Sequence, residues 1–194
     1  MNVAFGMKAH SGWAAVVVLG EQNDLVVVDR RRLELVEDEW AKQPYHAAEG
    51  LKPELARDLV KRGIDAARKN AGREMKAALK RELERKNRVK GCGVLVGSPM
   101  PDWSVDEILA VHFRMHKAEG VLFRDVLLQA AKECGLKAVE VPEKDLYIRA
   151  ERVLKTPANE LATQITALGK SVGPPWGKDQ KEAALAAMIT LRSR

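Results

Sequence analysis

The sequence predicts an α/β domain built on a mixed five-stranded sheet, with an antiparallel three-strand meander, two parallel strands and flanking helices. Apolar, β-branched runs at 3–7, 13–19 and 25–29 are joined by short polar turns, which is typical of an antiparallel meander. Two later apolar runs, at 94–96 and 137–141, each follow a helical segment. They are therefore expected to reach the sheet by crossovers and to pair in parallel.

The first predicted helix is long. Pro53 suits the first turn of a helix, and apolar residues recur at helical spacing from there to Leu83. Gly63 and Gly72 interrupt this stripe, so we expect a kink or break at either glycine.

Three more helices are predicted from their end signals. Ser104 and Glu107 have the spacing of a capping box, and Gly135 marks the end of the helical pattern that follows. A Thr-Pro pair at 156–157 indicates the start of the next helix, with the threonine as its cap. The last helix is expected over 179–191, after a loop rich in proline and glycine.

Composition is that of a globular protein. The 194 residues are 46% apolar and 31% charged, which predicts a single domain over 1–194 with a real core and argues against disorder. No apolar run approaches the roughly 20 residues of a membrane span, so we expect no membrane partner and a cytoplasmic location. Cys92 and Cys134 are expected to be buried free thiols, since two cysteines make no disulfide framework.

The positive charge is concentrated in one basic helical segment. Residues 52–90 carry a net charge of +8, whereas the rest of the chain carries −2. Such a concentration is typical of a surface that faces nucleic-acid phosphates. A long solvated helix with mixed charges is the alternative, and the segment has no interleaved aromatic residues to stack on bases.

Four segments carry a resemblance to a known family. They are Gly6-Met7-Lys8-Ala9-His10-Ser11 after the first apolar run, residues 116–124, residues 135–142, and Asp179-Gln180-Lys181-Glu182 before an Ala- and Leu-rich helix. Together with the order of elements, they resemble the ribonuclease H-like nucleases, and within them the RuvC-type Holliday-junction resolvases. The resemblance implies a nuclease that holds two Mg²⁺ or Mn²⁺ ions on carboxylates and cleaves phosphodiester bonds.

The family holds its metal ions with carboxylates from three positions, which we call the metal-ligand corners. The resemblance fails at two of them. Lys8 stands where the family has an aspartate at the end of the first strand. The family's glutamate after strand four is also missing, because the chain reads Val-Gly-Ser-Pro over 96–99 and has no carboxylate before Asp102. An ammonium at a metal corner repels the cation and is able to occupy its place. We therefore expect a scaffold that has lost two-metal cleavage.

The remaining corner is the acidic pair of the last helix. Asp179 and Glu182 are the candidate catalytic residues and, with Asp102, the candidate metal ligands. The alternative interpretation is that the pair only caps its helix. His112, His116 and Glu119 share one helix face at metal-ligand spacing. The same face contains Ile108 and Met115 and no fourth ligand is evident nearby, which favours packing of one of the histidines.

Four residues near these corners are candidates for nucleic-acid contact. Lys8 and His10 follow the first strand, where the resemblance implies an active cleft, and an exposed turn is the alternative. Trp176 and Lys178 lie just before the acidic pair. The indole is able to stack on a base, or to fix its Pro-rich loop to the core.

These observations favour a nucleic-acid-associated ribonuclease H-like protein with impaired catalysis, bound to DNA or RNA through the cleft and the basic helix. One alternative is a Mg²⁺- or Mn²⁺-dependent endonuclease with an atypical site. The other is a protein-interaction module in which the basic helix contacts a partner or a second copy in a homodimer.

Overall fold

A five-stranded mixed sheet lies at the centre of the fold. Its strands are β1 (Asn2–His10), β2 (Trp13–Glu21), β3 (Leu25–Glu34), β4 (Arg88–Val96) and β5 (Ala138–Pro142). The structure, a computed structural model, describes residues 1–193. The strand order is β3-β2-β1-β4-β5, with antiparallel β1–β2 and β2–β3 pairs and parallel β1–β4 and β4–β5 pairs. The predicted sheet is confirmed.

The strands are longer than predicted, which changes the position of two candidate residues. β1 continues through Lys8 and His10, and the turn consists of Ser11 and Gly12, whose φ of +83° favours glycine. The alternative interpretation of Lys8 and His10 as an exposed turn is therefore wrong, and Lys8 is only 9% exposed. The third strand, predicted from the apolar run at 25–29, continues through the arginines at 30–32, which pair with β2.

Helices cover both faces of the sheet. They are α1 (Pro44–Ala47), α2 (Pro53–Glu84), α3 (Val105–Leu109), α4 (His112–Glu133), α5 (Leu146–Leu154), α6 (Ala158–Val172) and α7 (Lys178–Arg192), with a 3-10 turn at Glu39–Lys42. Among residues 1–193, no helix has an apolar stretch long enough to cross a membrane.

The predicted break in α2 is wrong, because the helix runs without interruption past both glycines. A side chain at Gly63 would contact Pro44 and Trp40, so this glycine admits the preceding segment close to the helix. The apolar stripe from Ala56 to Ala78 is buried along its length. Packing of that stripe outweighs the low helix propensity of glycine.

The helices differ from the prediction in three places. The capping box of Ser104 and Glu107 is confirmed, but it begins a five-residue helix that ends before α4. Helix α5 was not predicted. Thr156 does not cap α6, since its hydroxyl donates to the carbonyl of Leu154 and the helix begins at Ala158.

Alternation along β1 divides the molecule into two layers. Val3, Phe5 and Met7 point to one face and pack with α2 and α4. Gly6 and Lys8 point to the other face, where α7 lies with α5 and α6 behind it. The free thiol of Cys92 is buried in the first layer, while that of Cys134 is partly exposed.

Glycines on β1 and β4 let α7 lie directly on the sheet. A methyl group at Gly6 would overlap the backbone carbonyl of Ala183, and one at Gly93 would overlap Thr190 and the backbone of Ala186. The helix face that meets the strands is rich in alanine for the same reason. This close approach places the first turn of α7 beside the end of β1.

Candidate functional site

The candidate site lies at the edge of the sheet where the parallel strands β1, β4 and β5 end. Side chains at the carboxyl ends of parallel strands converge at one edge. Lys8 comes from the end of β1 and Glu143 follows β5, with its backbone N–H donating to the Val96 carbonyl at 2.8 Å. Asp179 and Glu182 come from the first turn of α7.

The ammonium of Lys8 lies among three carboxylates. Its Nζ is 2.8 Å from Oε1 of Glu143 and 3.6 Å from Oδ1 of Asp179, and it donates a hydrogen bond to Oε2 of Glu182. All four side chains are at least two-thirds buried. We call these four residues the Lys8 cluster.

Electrostatics within the Lys8 cluster favour its ionised form. Burial alone lowers the pKa of Lys8, but hydrogen bonds and attraction to Glu143 and Glu182 outweigh it, so that this pKa lies above the ordinary value of 10.5. Burial likewise raises the pKa of Glu143, but its bond to Lys8 and the nearby charges of Lys8, Arg124 and Lys178 bring it below the ordinary 4.5. The ammonium and the carboxylates therefore hold one another in place.

His10 extends this site along β1. Its Nε2 lies 3.0 Å from Oδ2 of Asp179, and its ring stacks on Trp13 with the centroids 4.2 Å apart. The guanidinium of Arg32 covers the Trp13 ring at 4.0 Å. The His10 side chain is half-buried.

A second cation lies at the end of β4. Arg124, on α4, has its guanidinium 3.4 Å from Oε2 of Glu143. A side chain at Gly97 would overlap that guanidinium. Arg124 thus fills the space beside the strand-four corner, where the resemblance implies a glutamate.

The acidic pair does not cap its helix. The N-cap of α7 is Gly177, whose N–H donates to Oε1 of Gln180 at 2.9 Å. The capping alternative for Asp179 and Glu182 is therefore wrong, because Gln180 has that role and both carboxylates point to the Lys8 cluster.

Two contacts hold the loop before α7. Trp176 donates from Nε1 to the Ile165 carbonyl at 2.9 Å and lies against Gly169, so the indole fixes the loop to α6. Arg30 donates to the carbonyls of Gly173 at 2.7 Å and Pro174 at 3.1 Å. These contacts favour the structural interpretation of Trp176 over base stacking.

Lys178 and Asp102, the remaining predicted site residues, lie at or beyond the margin of the Lys8 cluster. Lys178 is exposed, with Nζ 3.8 Å from Oε1 of Glu182. Asp102 is exposed on the loop between β4 and α3, and within residues 1–193 no ion pair joins it to the cluster.

Sequence reasoning missed Glu143 and Arg124. The signal for Glu143 was available, because it directly follows a strand predicted to be parallel to its neighbour. Arg124 offered no such signal, since a lysine or arginine on a helix is usually solvated.

The predicted histidine site is rearranged. His112 and His116 lie together on α4, as expected, but Glu119 is buried and bonds to His46 instead of facing them. His46 was not predicted as part of the group, because it lies 66 residues before His112 on a separate short helix.

The Lys8 cluster does not fit a two-metal centre. Three carboxylates are a suitable donor set for Mg²⁺ or Mn²⁺. However, one oxygen of each carboxylate lies near the Lys8 ammonium, and the second oxygens of Glu143 and Glu182 lie near Arg124 and Lys178. Three cations thus balance the three carboxylates, which leaves no excess negative charge to attract a pair of divalent ions.

Comparison with known proteins identifies the fold. The chain has the ribonuclease H-like fold, and it resembles RuvC. Thermus thermophilus RuvC in complex with a Holliday-junction substrate matches with a TM-score of 0.54 and 10% identity, over 98% of this chain and 93% of that one. Thermus thermophilus RuvC on its own matches with a TM-score of 0.50 and 12% identity, over 96% and 92%.

The sequence itself gives no such match. No protein-family profile matches the chain, and no curated protein matches it by sequence. At 10–12% identity the likeness to RuvC concerns the fold. What the site does follows from its own residues.

Proposed function

We propose that this protein binds nucleic acid through a ribonuclease H-like scaffold in which the Lys8 ammonium takes the place of a catalytic metal. The observation that carries the proposal is the contact of Lys8 with Glu143, Asp179 and Glu182 at the edge of the sheet. An ammonium there offsets part of the negative charge of the carboxylates but supplies no Lewis acid and activates no water. The protein is expected to bind its substrate without hydrolysing it.

The proposed loss of cleavage is supported at the second corner as well. Arg124 covers Gly97 and pairs with Glu143. Two cations therefore occupy space in which a two-metal nuclease needs oxygen ligands.

The exposed face of α2 is the proposed phosphate-binding surface. Its basic residues recur at spacings of seven, four, three and four, so they share one side of the helix. The basic stripe consists of Arg62, Lys69, Arg73, Lys76 and Lys80, all exposed. From Arg62 to Lys80 the stripe is about 27 Å long, given the rise of about 1.5 Å per residue in an α-helix. Within residues 1–193, no ion pair involves Lys69 or Lys76.

Binding to DNA tests this surface. Fluorescence anisotropy of labelled duplex and four-way-junction DNA, titrated over salt, is expected to show affinity that falls steeply with salt. The double variant Lys69→Gln/Lys76→Gln should bind more weakly and reduce the slope of log K against log salt by about two, since each lost phosphate contact removes about 0.9.

The matched control uses two exposed lysines on the opposite side of the sheet. Lys155 follows α5 and Lys170 lies on α6, within the other helical layer. The variant Lys155→Gln/Lys170→Gln has the same net charge as the test variant, and should retain the wild-type slope. Equal losses in both variants would indicate a nonspecific effect of net charge. No binding of wild type at low salt would contradict the proposal for DNA and favour the protein-interaction alternative.

A further inference from the structure

Three histidines from two separate helices meet away from the Lys8 cluster. His46 lies on α1, and His112 and His116 lie one turn apart on α4. Each ring offers one nitrogen, and these three nitrogens lie within 4.8 Å of one another. The Nε2 atoms of His112 and His116 are 3.2 Å apart. Two nitrogens bound to one tetrahedral Zn²⁺ are about 3.3 Å apart, given Zn–N bonds near 2.05 Å.

The buried carboxylate of Glu119 orients His46. Glu119 is 3% exposed, and its two oxygens accept from the backbone N–H of His46 at 3.1 Å and pair with Nδ1 at 2.7 Å. An ionised carboxylate requires a proton on that Nδ1, so Nε2 of the neutral ring carries the lone pair. Metal-binding histidines commonly have such a carboxylate behind them.

The Nε2 atom of His46 is itself evidence for a ligand. It is buried and has no hydrogen-bond partner among the described residues. A buried nitrogen lone pair without a partner is costly. On the other side, Nδ1 of His112 lies 3.8 Å from Oε1 of Glu49, so that Nε2 of this ring faces Nε2 of His116.

We infer that His46, His112 and His116 bind a divalent transition-metal ion, with Zn²⁺ the best match, through their Nε2 atoms. Imidazole donors select zinc, copper or nickel over magnesium. Three protein nitrogens leave a fourth position for water. The ion would also offset the buried charge of Glu119 and join α1 to the start of α4. This site is independent of the proposed nucleic-acid function.

The test uses tag-free protein and zinc alone. Equilibrium dialysis against ZnSO₄, followed by elemental analysis, should give one zinc per chain in wild type. His112→Ala and His116→Ala alter exposed side chains, so both should fold, as circular dichroism would verify. Each should weaken binding by more than the roughly 10–100-fold that loss of an outer-shell partner causes. Glu119→Gln, which keeps the shape of the side chain, should weaken it within that range.

The chain has four histidines, and the fourth is the control. His10→Ala should retain full zinc binding. Saturating zinc should raise the melting temperature of wild type and leave that of His112→Ala unchanged. Absence of stoichiometric zinc in wild type would overturn the inference. Zinc binding that persists in His112→Ala but is lost in Glu182→Gln would assign the ion to the Lys8 cluster. That result would also overturn the inference.

Discussion

The Lys8→Ala variant is expected to have a free energy of unfolding about 2 kcal/mol lower than that of wild type, and to recover this stability when Mn²⁺ is added. Removing the ammonium leaves Glu143, Asp179 and Glu182 close together, with only the more distant charges of Arg124 and Lys178 to offset two of them. Breaking a buried ion pair costs about 3–5 kcal/mol, and the partial exposure of these carboxylates reduces the cost. Urea unfolding at neutral pH, with and without Mn²⁺, measures both effects.

Added Mn²⁺ distinguishes an ammonium that substitutes for a metal from an ordinary ion pair. The freed carboxylates form an oxygen donor set, so Mn²⁺ at about 100 times its Kd should stabilise Lys8→Ala by about 2.7 kcal/mol. Wild type should gain less than about 0.5 kcal/mol, because Lys8 already occupies the site. Comparable stabilisation of both proteins would contradict this account.

Lys178→Ala is the matched control. It also removes a lysine that lies near Glu182, but this one is exposed and its Nζ is 3.8 Å away. Exposed pairs contribute little, so the loss should stay below about 1 kcal/mol and Mn²⁺ should not change it.

The cost of Lys8→Ala should also depend on pH. The lowered pKa of Glu143 makes its contribution fully present above the ordinary 4.5, and that contribution is lost as pH falls through the folded value. The raised pKa of Lys8 makes its contribution fully present below 10.5, and lost as pH rises through the folded value. The difference between wild type and Lys8→Ala should therefore be largest near neutral pH and shrink below pH 4.5.

Gly6→Ala is expected to destabilise the protein by about 3 kcal/mol or to prevent folding. The added methyl group would overlap the backbone carbonyl of Ala183, which no side-chain rotation relieves. Overpacking of a core usually costs about 1–3 kcal/mol, and a backbone clash lies at the upper end. Because α7 supplies Asp179 and Glu182, any displacement of the helix also moves them away from Lys8. Urea unfolding measures the loss.

Gly72→Ala, also a glycine-to-alanine substitution, is expected to stabilise the protein, in contrast to Gly6→Ala. Nothing lies within 4 Å of a side chain at this position, and it is inside the long helix α2. Alanine there should stabilise the protein by about 0.5–1 kcal/mol.

The Gly6→Ala prediction has a clear contradicting outcome. If Gly6→Ala proved as stable as wild type, α7 would not lie as close to β1 as described.

The sheet could be predicted because its strands carry an unambiguous local pattern. The runs at 3–7 and 13–19 are apolar, and the polar turns between them exclude a helix. The end of β1 could not be placed, since Lys8 and His10 are polar and read as a turn. They remain in the strand because Asp179, Glu143 and Glu182 give the two side chains partners across the sheet edge.

The site could be predicted only in part. Lys8, Asp179 and Glu182 were found through a resemblance that marks three corners, and the structure places them in one cluster. Arg124 and His46 act through contacts that join distant parts of the chain, and no local pattern distinguishes them from solvated residues. The continuity of α2 likewise depends on the packing of Gly63 against Pro44 and Trp40, which lie outside the helix.

Incubation of the wild-type protein with labelled four-way-junction DNA in Mg²⁺ or Mn²⁺ tests the central claim most directly. The account predicts that the DNA is bound at low salt and remains intact, because Lys8 occupies the position from which a metal would act. Metal-dependent cleavage by wild type that is abolished by Glu182→Gln would contradict it, and would establish a working nuclease with an atypical site.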